Sequence, residues 1–457
     1  MNTQQISRRN FILAATAAAA HGCLSPSREL SSDSNSPQKP NILMIMVDDL
    51  GYGDLACFGA KDMRTPNLDK LMSAGMRFNE FYSNCCVCAP TRAALLTGRY
   101  PEFVGVPGVV RTRDNQNWGH LTPDSIFIPE LFRKAGYHTT IIGKWHLGLD
   151  KPNCPNQRGF DEFRGFLGDM MDDYWTHRRH DINYMRINED EINPKGHATD
   201  IFTQWSTESI RKQAASEKPF FQYLAYNAPH TPIQPPPEWL EKVRKREPGI
   251  SEKRANLVAL IEHLDDGIGK VLKTLDECRL ADKTIVAFTS DNGGWLESGS
   301  SNGPLRSGKC HVYEGGIKVT TCVRWPGHIK TGQQTDFRAL TMDILPTLAE
   351  ICGIPITHKI DGRSFRKLLL EGKQEQYEHP VFHMWLEKTT KETLRHGDWK
   401  LVRDKAGTPF ELYNIKADPY ETTNLADKEP GILRKMVKVL EAHMKATSLV
   451  PWKRTGQ

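Results

Sequence analysis

The stretch CAPTRAALLTGR, from Cys88 to Arg99, sets one thiol at the threshold of a helix. Pro90 suits a first helical position, Ala93 to Leu96 are good helix formers, and Gly98 suits the stop. A thiol there faces the partial positive charge of unpaired backbone N–H groups, with Arg92 one turn on, so the geometry suits an anion bound beside a nucleophile. A small buried cysteine ahead of an ordinary helix explains the same residues equally well. Ligand chemistry recurs in four other places: Asp48 with Asp49, Lys144 with His146, His230, and Asp291 with Asn292. Three carboxylates and an amide are hard oxygen donors, better suited to Ca2+ or Mg2+ than to zinc.

Four strands must position these groups. Asn41 to Val47 is an almost unbroken apolar run, as expected of a strand buried on both faces of a parallel sheet, and it ends in Asp48-Asp49. Thr284 to Thr289 ends in Ser290-Asp291-Asn292, Thr139 to Ile142 in Gly143-Lys144-Trp145-His146, and Phe220 to Tyr226 in Asn227-Ala228-Pro229-His230. In open α/β sheets ligands gather outside the carboxyl ends of parallel strands, so the four segments can meet. Either acidic pair alone reads as a turn after a strand, and a lone histidine as a satisfied structural residue. Repetition at the same end of four strands sets them apart. The segment Leu257 to Leu275 is the contrast: its apolar residues follow helical spacing, and His263, Asp265 and Asp266 read as a solvated helix face.

At 457 residues the chain can bury a large core and suggests two or three domains. A net charge of +5, from 60 basic and 55 acidic residues without a Lys/Arg block, calls for neither nucleic acid nor an anionic membrane as partner. Ser7-Arg8-Arg9-Asn10-Phe11 precedes the apolar run Ile12 to Ala20 and a polar linker, the pattern of a twin-arginine export signal. That run is too short to span a bilayer, so an exported protein without a transmembrane segment, periplasmic or extracellular, is expected. Cys23 is a candidate lipidation site, although Ala20 stands where such sites usually carry Leu. The ten cysteines form no small disulfide framework, and Cys85, Cys86 and Cys88 lack partners at zinc-site spacing. The expected division is a signal and linker over 1–39, a catalytic domain over 40–371 and a C-terminal α+β part over 372–457.

Taken together, the motifs resemble those of type I sulfatases, members of the alkaline phosphatase-like superfamily. CAPTRAALLTGR matches the sulfatase signature, and VDDLGYGD, GKWHLG, NAPHTP, SDNGG, LRSGK and ELYNIKADPYETTNLAD follow the family pattern over nearly all of the mature chain. Thr91 departs from the commoner Ser of the signature, and Thr320-Thr321-Cys322 from the usual Pro and bulky apolar residues.

The resemblance implies an α/β fold, a large mostly parallel sheet sandwiched by helices, with a smaller C-terminal antiparallel sheet. There Val381 to Trp385, Trp399 to Val402 and Glu411 to Tyr413 read as strands, and Ile432 to Leu440 as part of a closing amphipathic helix. It further implies that a formylglycine-generating or anaerobic sulfatase-maturing enzyme converts Cys88 to formylglycine (3-oxoalanine). One Ca2+ would be held by Asp48, Asp49, Asp291 and Asn292, joined by residue 88. Arg92 and Lys144 match the residues that hold the modified side chain, and His146, His230 and Lys309 the remaining catalytic and sulfate-binding positions.

A sulfate monoester repels nucleophiles, so charge must be neutralised before attack. On that footing Asp291 is expected to take a proton from the nucleophile, His230 and Lys309 to protonate or stabilise the departing oxygen, and His146 to remove the last proton. The expected substrate is a sulfated polysaccharide or oligosaccharide, with Arg111, Arg113, Trp175, His177, Arg178, His180, His383 and Trp385 as candidate sugar contacts. Two other functions are compatible: a phosphodiesterase or phosphonate monoester hydrolase of the same superfamily, and a non-catalytic sulfated-glycan-binding protein.

Overall fold

Asn41–Val47, NILMIMV, is buried along its whole length and is flanked by Phe220–Ala225 and Thr284–Ser290, both parallel to it. His138–Lys144 and then Glu162–Phe166 continue the parallel series. Unbroken apolar runs suit these strands because helices cover both faces. Phe221 stacks on Phe132 of helix Ile128–Lys134 at 4.9 Å, while the next residue, Gln222, donates to Ser206 Oγ of helix Ala198–Ala214 at 2.6 Å. Successive side chains of a strand point to opposite faces, so these helices lie on opposite sides of the sheet. The computed structural model describes residues 39–450 apart from 114–115, 375–378 and 388.

Among the described residues the sheet has ten strands. Thr321–Arg324 joins antiparallel beside Thr284–Ser290, followed by Met76–Phe78 and Gln333–Thr335; Met185–Ile187 and Asp190–Glu191 close the other edge. No helix among these residues is long and apolar enough to cross a membrane. The twin-arginine segment and Cys23 lie outside the described residues.

Helix Glu252–Glu277 forms as its spacing predicts, but His263 and Asp265 are buried, contrary to the expected solvated face. Helices Pro66–Ser73, Ala198–Ala214 and Pro237–Arg246 pack around it and cover the flank that periodicity assigns to water. His263 Nε2 lies 2.8 Å from Asp200 Oδ1. Asp265 accepts from the backbone N–H groups of Asn67 and Leu68 at 3.1 and 2.7 Å, satisfying two orphan donors at the start of Pro66–Ser73, where Thr65 supplies no side-chain cap. Asp266 alone matches the expectation, half-buried and paired with Lys270 at 2.8 Å. Asp265→Ala is therefore expected to cost about 1–2 kcal/mol, read from the urea midpoint of unfolding, against at most about 0.5 kcal/mol for a solvated position.

The C-terminal sheet has four antiparallel strands, Val381–Trp385, Lys391–His396, Trp399–Arg403 and Glu411–Asn414. Lys391–His396 carries no strand signal of its own, because KETLRH has Leu394 as its one apolar residue. Pairing makes its polar groups buriable: Glu392 sits opposite Arg403 and ion-pairs with it, and Thr393 Oγ1 donates to Leu401 O. Met436 and Leu440 of helix Pro430–Thr447 are buried in the same apolar cluster as this sheet. That cluster also contains Tyr82, Cys85, Cys86, Val87 and Ala94, so the C-terminal sheet packs directly beneath the segment that carries Cys88. A buried ammonium ties the parts together, with Lys400 Nζ 2.8 Å from both Glu314 Oε1 and Glu421 Oε1.

Candidate active site

The parallel register decides which residues meet. Val47 stands opposite Ser290, and Met46 opposite Ala225, which stands opposite Gly143. The polar segments that follow therefore emerge side by side at one sheet edge. Helix Cys88–Thr97 points its start at that edge. Val87 is its extended N-cap and Gly98 its left-handed stop at φ 67°, whereas Pro90 falls at the third helical position, not the first. The third N–H also lacks an intrahelical acceptor, so the proline costs no bond there.

Cys88 Sγ lies 3.3 Å from Asp48 Oδ1, and Lys144 Nζ 2.5 Å from Asp48 Oδ2. Arg92 donates through Nε and Nη2 to Asp291 Oδ2 at 3.1 and 2.7 Å, with Nη2 3.6 Å from Asp48 Oδ2. Asp291 Oδ1 accepts from Asp49 N at 3.2 Å, and Asn292 Nδ2 donates to Asp49 Oδ1 at 2.8 Å. Lys309 Nζ stands 2.7 Å from Asp49, and His230 Nε2 3.6 Å from Asp49 Oδ2. Asp49 and His146 hold left-handed backbone conformations, φ 68° and 62°, which are sparsely populated by such residues. The structure thus brings together Cys88, Arg92, Lys144, His230, Lys309, Asp48, Asp49, Asp291 and Asn292. His146 leaves the same strand end as Lys144, buried, with both ring nitrogens unpartnered among the described residues.

Burial opposes the charge of Asp48, but Lys144, His230 and Arg92 outweigh it and hold its pKa well below the carboxylate range. Burial and then the Asp48 charge push Asp291 up to about 7, against the pull of Arg92. The Cys88 thiol is driven well above its ordinary value by burial and Asp48. Burial lowers both His146 and His230, with Lys144 and Lys309 respectively adding to it. His230 Nδ1 donates to Thr231 O at 2.7 Å, which leaves the lone pair on Nε2.

These groups fit a cation. Asp48, Asp49, Cys88 and His230 each offer a donor atom within 4.8 Å of the others. Asn292 Oδ1 is buried without a partner among the described residues, and clustered carboxylates repel unless positive charge lies among them. His230 is an addition to the donor set read from the sequence. A second set, His197, Asp200 and His263, is accounted for by packing: His197 Nδ1 accepts from Thr199 N and its Nε2 meets Gln234 O.

The sequence model of the family described as Sulfatase matches residues 40–354. The chain belongs to the sulfatase family. It is a sulfuric ester hydrolase. A further model, described as N-sulphoglucosamine sulphohydrolase, C-terminal, matches residues 307–448. Human (Homo sapiens) N-acetylgalactosamine-6-sulfatase is 36% identical over 376 residues, covering 77% of this chain and 69% of that protein. The structure of Ps i-CgsB in complex with k-i-k-neocarrahexaose matches with TM-score 0.84 and 30% identity, covering 92% of this chain and 96% of that one. The phosphonate monoester hydrolase of Agrobacterium radiobacter shares the fold, with TM-score 0.67 and 21% identity over 90% of this chain and 96% of that one.

In this sulfatase the candidate sugar contacts separate. His177 and His383 are buried: His177 Nε2 lies 2.9 Å from Gly196 O, and His383 Nδ1 lies 2.8 Å from Ser83 O beneath Tyr82. Trp175 is 44% exposed and follows Tyr174, whose hydroxyl donates to His230 O at 2.9 Å. Arg178 and His180 are half-buried in the ribbon Arg178–Arg179 and Ile182–Asn183 and its turn. Arg111 pairs with Glu387 at 3.0 Å, Arg113 is exposed, and Trp385 lies half-buried with Lys391 Nζ 5.6 Å from its ring. Sequence reasoning missed Tyr174, Tyr223, whose hydroxyl is 3.5 Å from Arg92 Nη1, and Trp295, whose ring centroid is 5.9 Å from Lys309 Nζ. Trp295 had a signal, since it directly follows Ser290-Asp291-Asn292-Gly293-Gly294.

Proposed function

We propose that this sulfatase hydrolyses sulfate monoesters on a sulfated polysaccharide or oligosaccharide, with residue 88 converted to formylglycine and one Ca2+ held by Asp48, Asp49, Asp291, Asn292 and residue 88. The observation that carries the reading is the convergence of four strand ends on Cys88, where carboxylates and cations alternate within hydrogen-bond reach. The raised pKa of Cys88 supports it, because a thiol kept protonated is a poor nucleophile and gains from conversion. Glycan as substrate is supported by the similarity to Ps i-CgsB, solved with k-i-k-neocarrahexaose, and to N-acetylgalactosamine-6-sulfatase.

Residue 88 as formylglycine would supply two hydroxyls on one carbon, and Ca2+ would neutralise charge on the sulfate oxygens. The chain's own groups do the rest. Lys144 and Arg92 hold Asp48 and Asp291 and orient what lies between them. Asp291, engaged by Arg92 at Oδ2, takes a proton at Oδ1. Lys309 carries protons at Nζ toward the departing oxygen, with His230 beside it, and neutral His146 accepts a proton at a free ring nitrogen. On this reading residues 40–371 form the catalytic part and 372–457 a C-terminal part, the chain is exported through its twin-arginine segment, and a maturing enzyme acts on Cys88 first.

Sulfate release from a panel of defined sulfated oligosaccharides tests the function, with phosphate diesters and phosphonates alongside. Higher kcat/KM on the phosphorus esters would overturn it in favour of a phosphonate hydrolase. Binding without release, after conversion of residue 88 is verified, would overturn it in favour of a glycan-binding protein. Chelation is expected to lower kcat/KM by about a hundredfold or more, and Ca2+ to restore it better than Mg2+.

A further inference from the structure

The loop that leaves strand Thr284–Ser290 carries Asp291 and Asn292 into the site and then brings an aromatic ring, Trp295, beside Lys309. Trp295 is half-buried, and Leu296 beside it is 50% exposed. The ring centroid of Trp295 stands 5.9 Å from Lys309 Nζ, the same ammonium that lies 2.7 Å from Asp49. Its position is fixed from two sides. Lys309 N donates to Gly294 O at 3.1 Å, and Trp295 O accepts from Ser298 N and Oγ at 3.0 and 2.7 Å. The loops touch so closely that a Cβ on Gly308 would meet Gly294 O at 2.4 Å and Leu296 Cγ at 3.2 Å.

A half-buried indole next to a cation is a surface for a ligand with an apolar face and hydroxyls. A pyranose ring has both. We infer that Trp295 is the platform on which the sugar bearing the scissile sulfate rests, its C–H face on the indole while the ester oxygen faces Lys309. This rests on the proposed sulfatase reading. It goes beyond it by assigning a sugar-binding residue outside the cluster around residue 88.

The test uses a sulfated oligosaccharide that the wild-type protein hydrolyses, with inorganic sulfate as an inhibitor that fills the anion pocket alone. In Trp295→Ala, KM for the oligosaccharide is expected to rise about tenfold while kcat falls less than about threefold, the Ki of sulfate stays put, and Trp295→Phe recovers most of the loss. Unchanged KM would overturn the inference. So would parallel loss of kcat and sulfate inhibition, which would make Trp295 a residue that merely positions Lys309. Calorimetric binding of the same oligosaccharide to Cys88→Ser protein separates this inference from the sulfatase reading. If wild type releases no sulfate the latter fails, yet about tenfold weaker binding after Trp295→Ala upholds the platform and equal binding overturns it.

Discussion

A Cys88→Ala protein is expected to fold normally and to lose sulfate release by roughly 10⁴-fold or more, the scale on which removal of a covalent nucleophile acts. The two halves of that expectation have separate origins. Cys88 is buried at the first position of a helix that is itself buried throughout, where alanine is a good helix former, so a cost of only about 1 kcal/mol in stability follows. Among the described residues its sulfur makes one polar contact, 3.3 Å to Asp48 Oδ1, and Lys144 and Arg92 still neutralise that carboxylate in its absence. Activity has no such reserve, because every other group of the cluster surrounds this atom. Mass spectrometry of the peptide from residue 88 to Arg99 completes the experiment. Active wild-type protein should carry the aldehyde, and an intact thiol in a fully active preparation would contradict the mechanism. Thr91, the departure from the commoner Ser, is buried with its hydroxyl bonded to the backbone of Cys85, a contact that a serine hydroxyl also makes.

Legibility followed the physics of each element. Strands buried on both faces announce themselves as apolar runs, and their polar ends mark where chemistry collects. Asp48, Lys144, His230 and Asp291 therefore group from sequence alone, although they are spread over about 240 residues. What the sequence hid were features set by neighbours. His263 and Asp265 occupy a helix face that periodicity assigns to water, but three further helices cover it. Lys391–His396 is a strand whose buried polar groups depend on Arg403 across the sheet, a partner that local pattern does not reveal. His177 and His383 have the residue type of sugar contacts, and the burial of both, with one ring nitrogen of each on a backbone carbonyl, is another feature that local sequence does not reveal. Trp295 sits beside a readable motif, and its meaning came only with the approach of Lys309.

Arg92→Met is the substitution expected to damage stability and activity together. The guanidinium is fully buried and forks onto Asp291 while reaching Asp48, so its loss leaves two buried carboxylates short of their shared counter-charge. Removing one partner of a buried ion pair costs about 3–5 kcal/mol. Arg92→Lys should recover part of this, since one ammonium supplies charge without the planar fork. The loss carries a pH signature in chelated protein. A carboxyl whose folded pKa exceeds its unfolded value of about 3.9 favours the folded state in acid and loses that contribution as pH rises through the folded pKa. Asp291 is such a group even with Arg92 present, at about 7, and without the guanidinium it moves higher. The deficit of Arg92→Met relative to wild type should therefore be smaller near about pH 5, where Asp291 is protonated in both folded proteins, and larger near about pH 8. Urea midpoints at the two values read it directly, and a deficit independent of pH would mean that the methionine side chain disturbs packing, not charge. Activity should fall by about 10²–10³-fold, because Asp291 would then lack the donor that holds Oδ2 and orients the carboxylate.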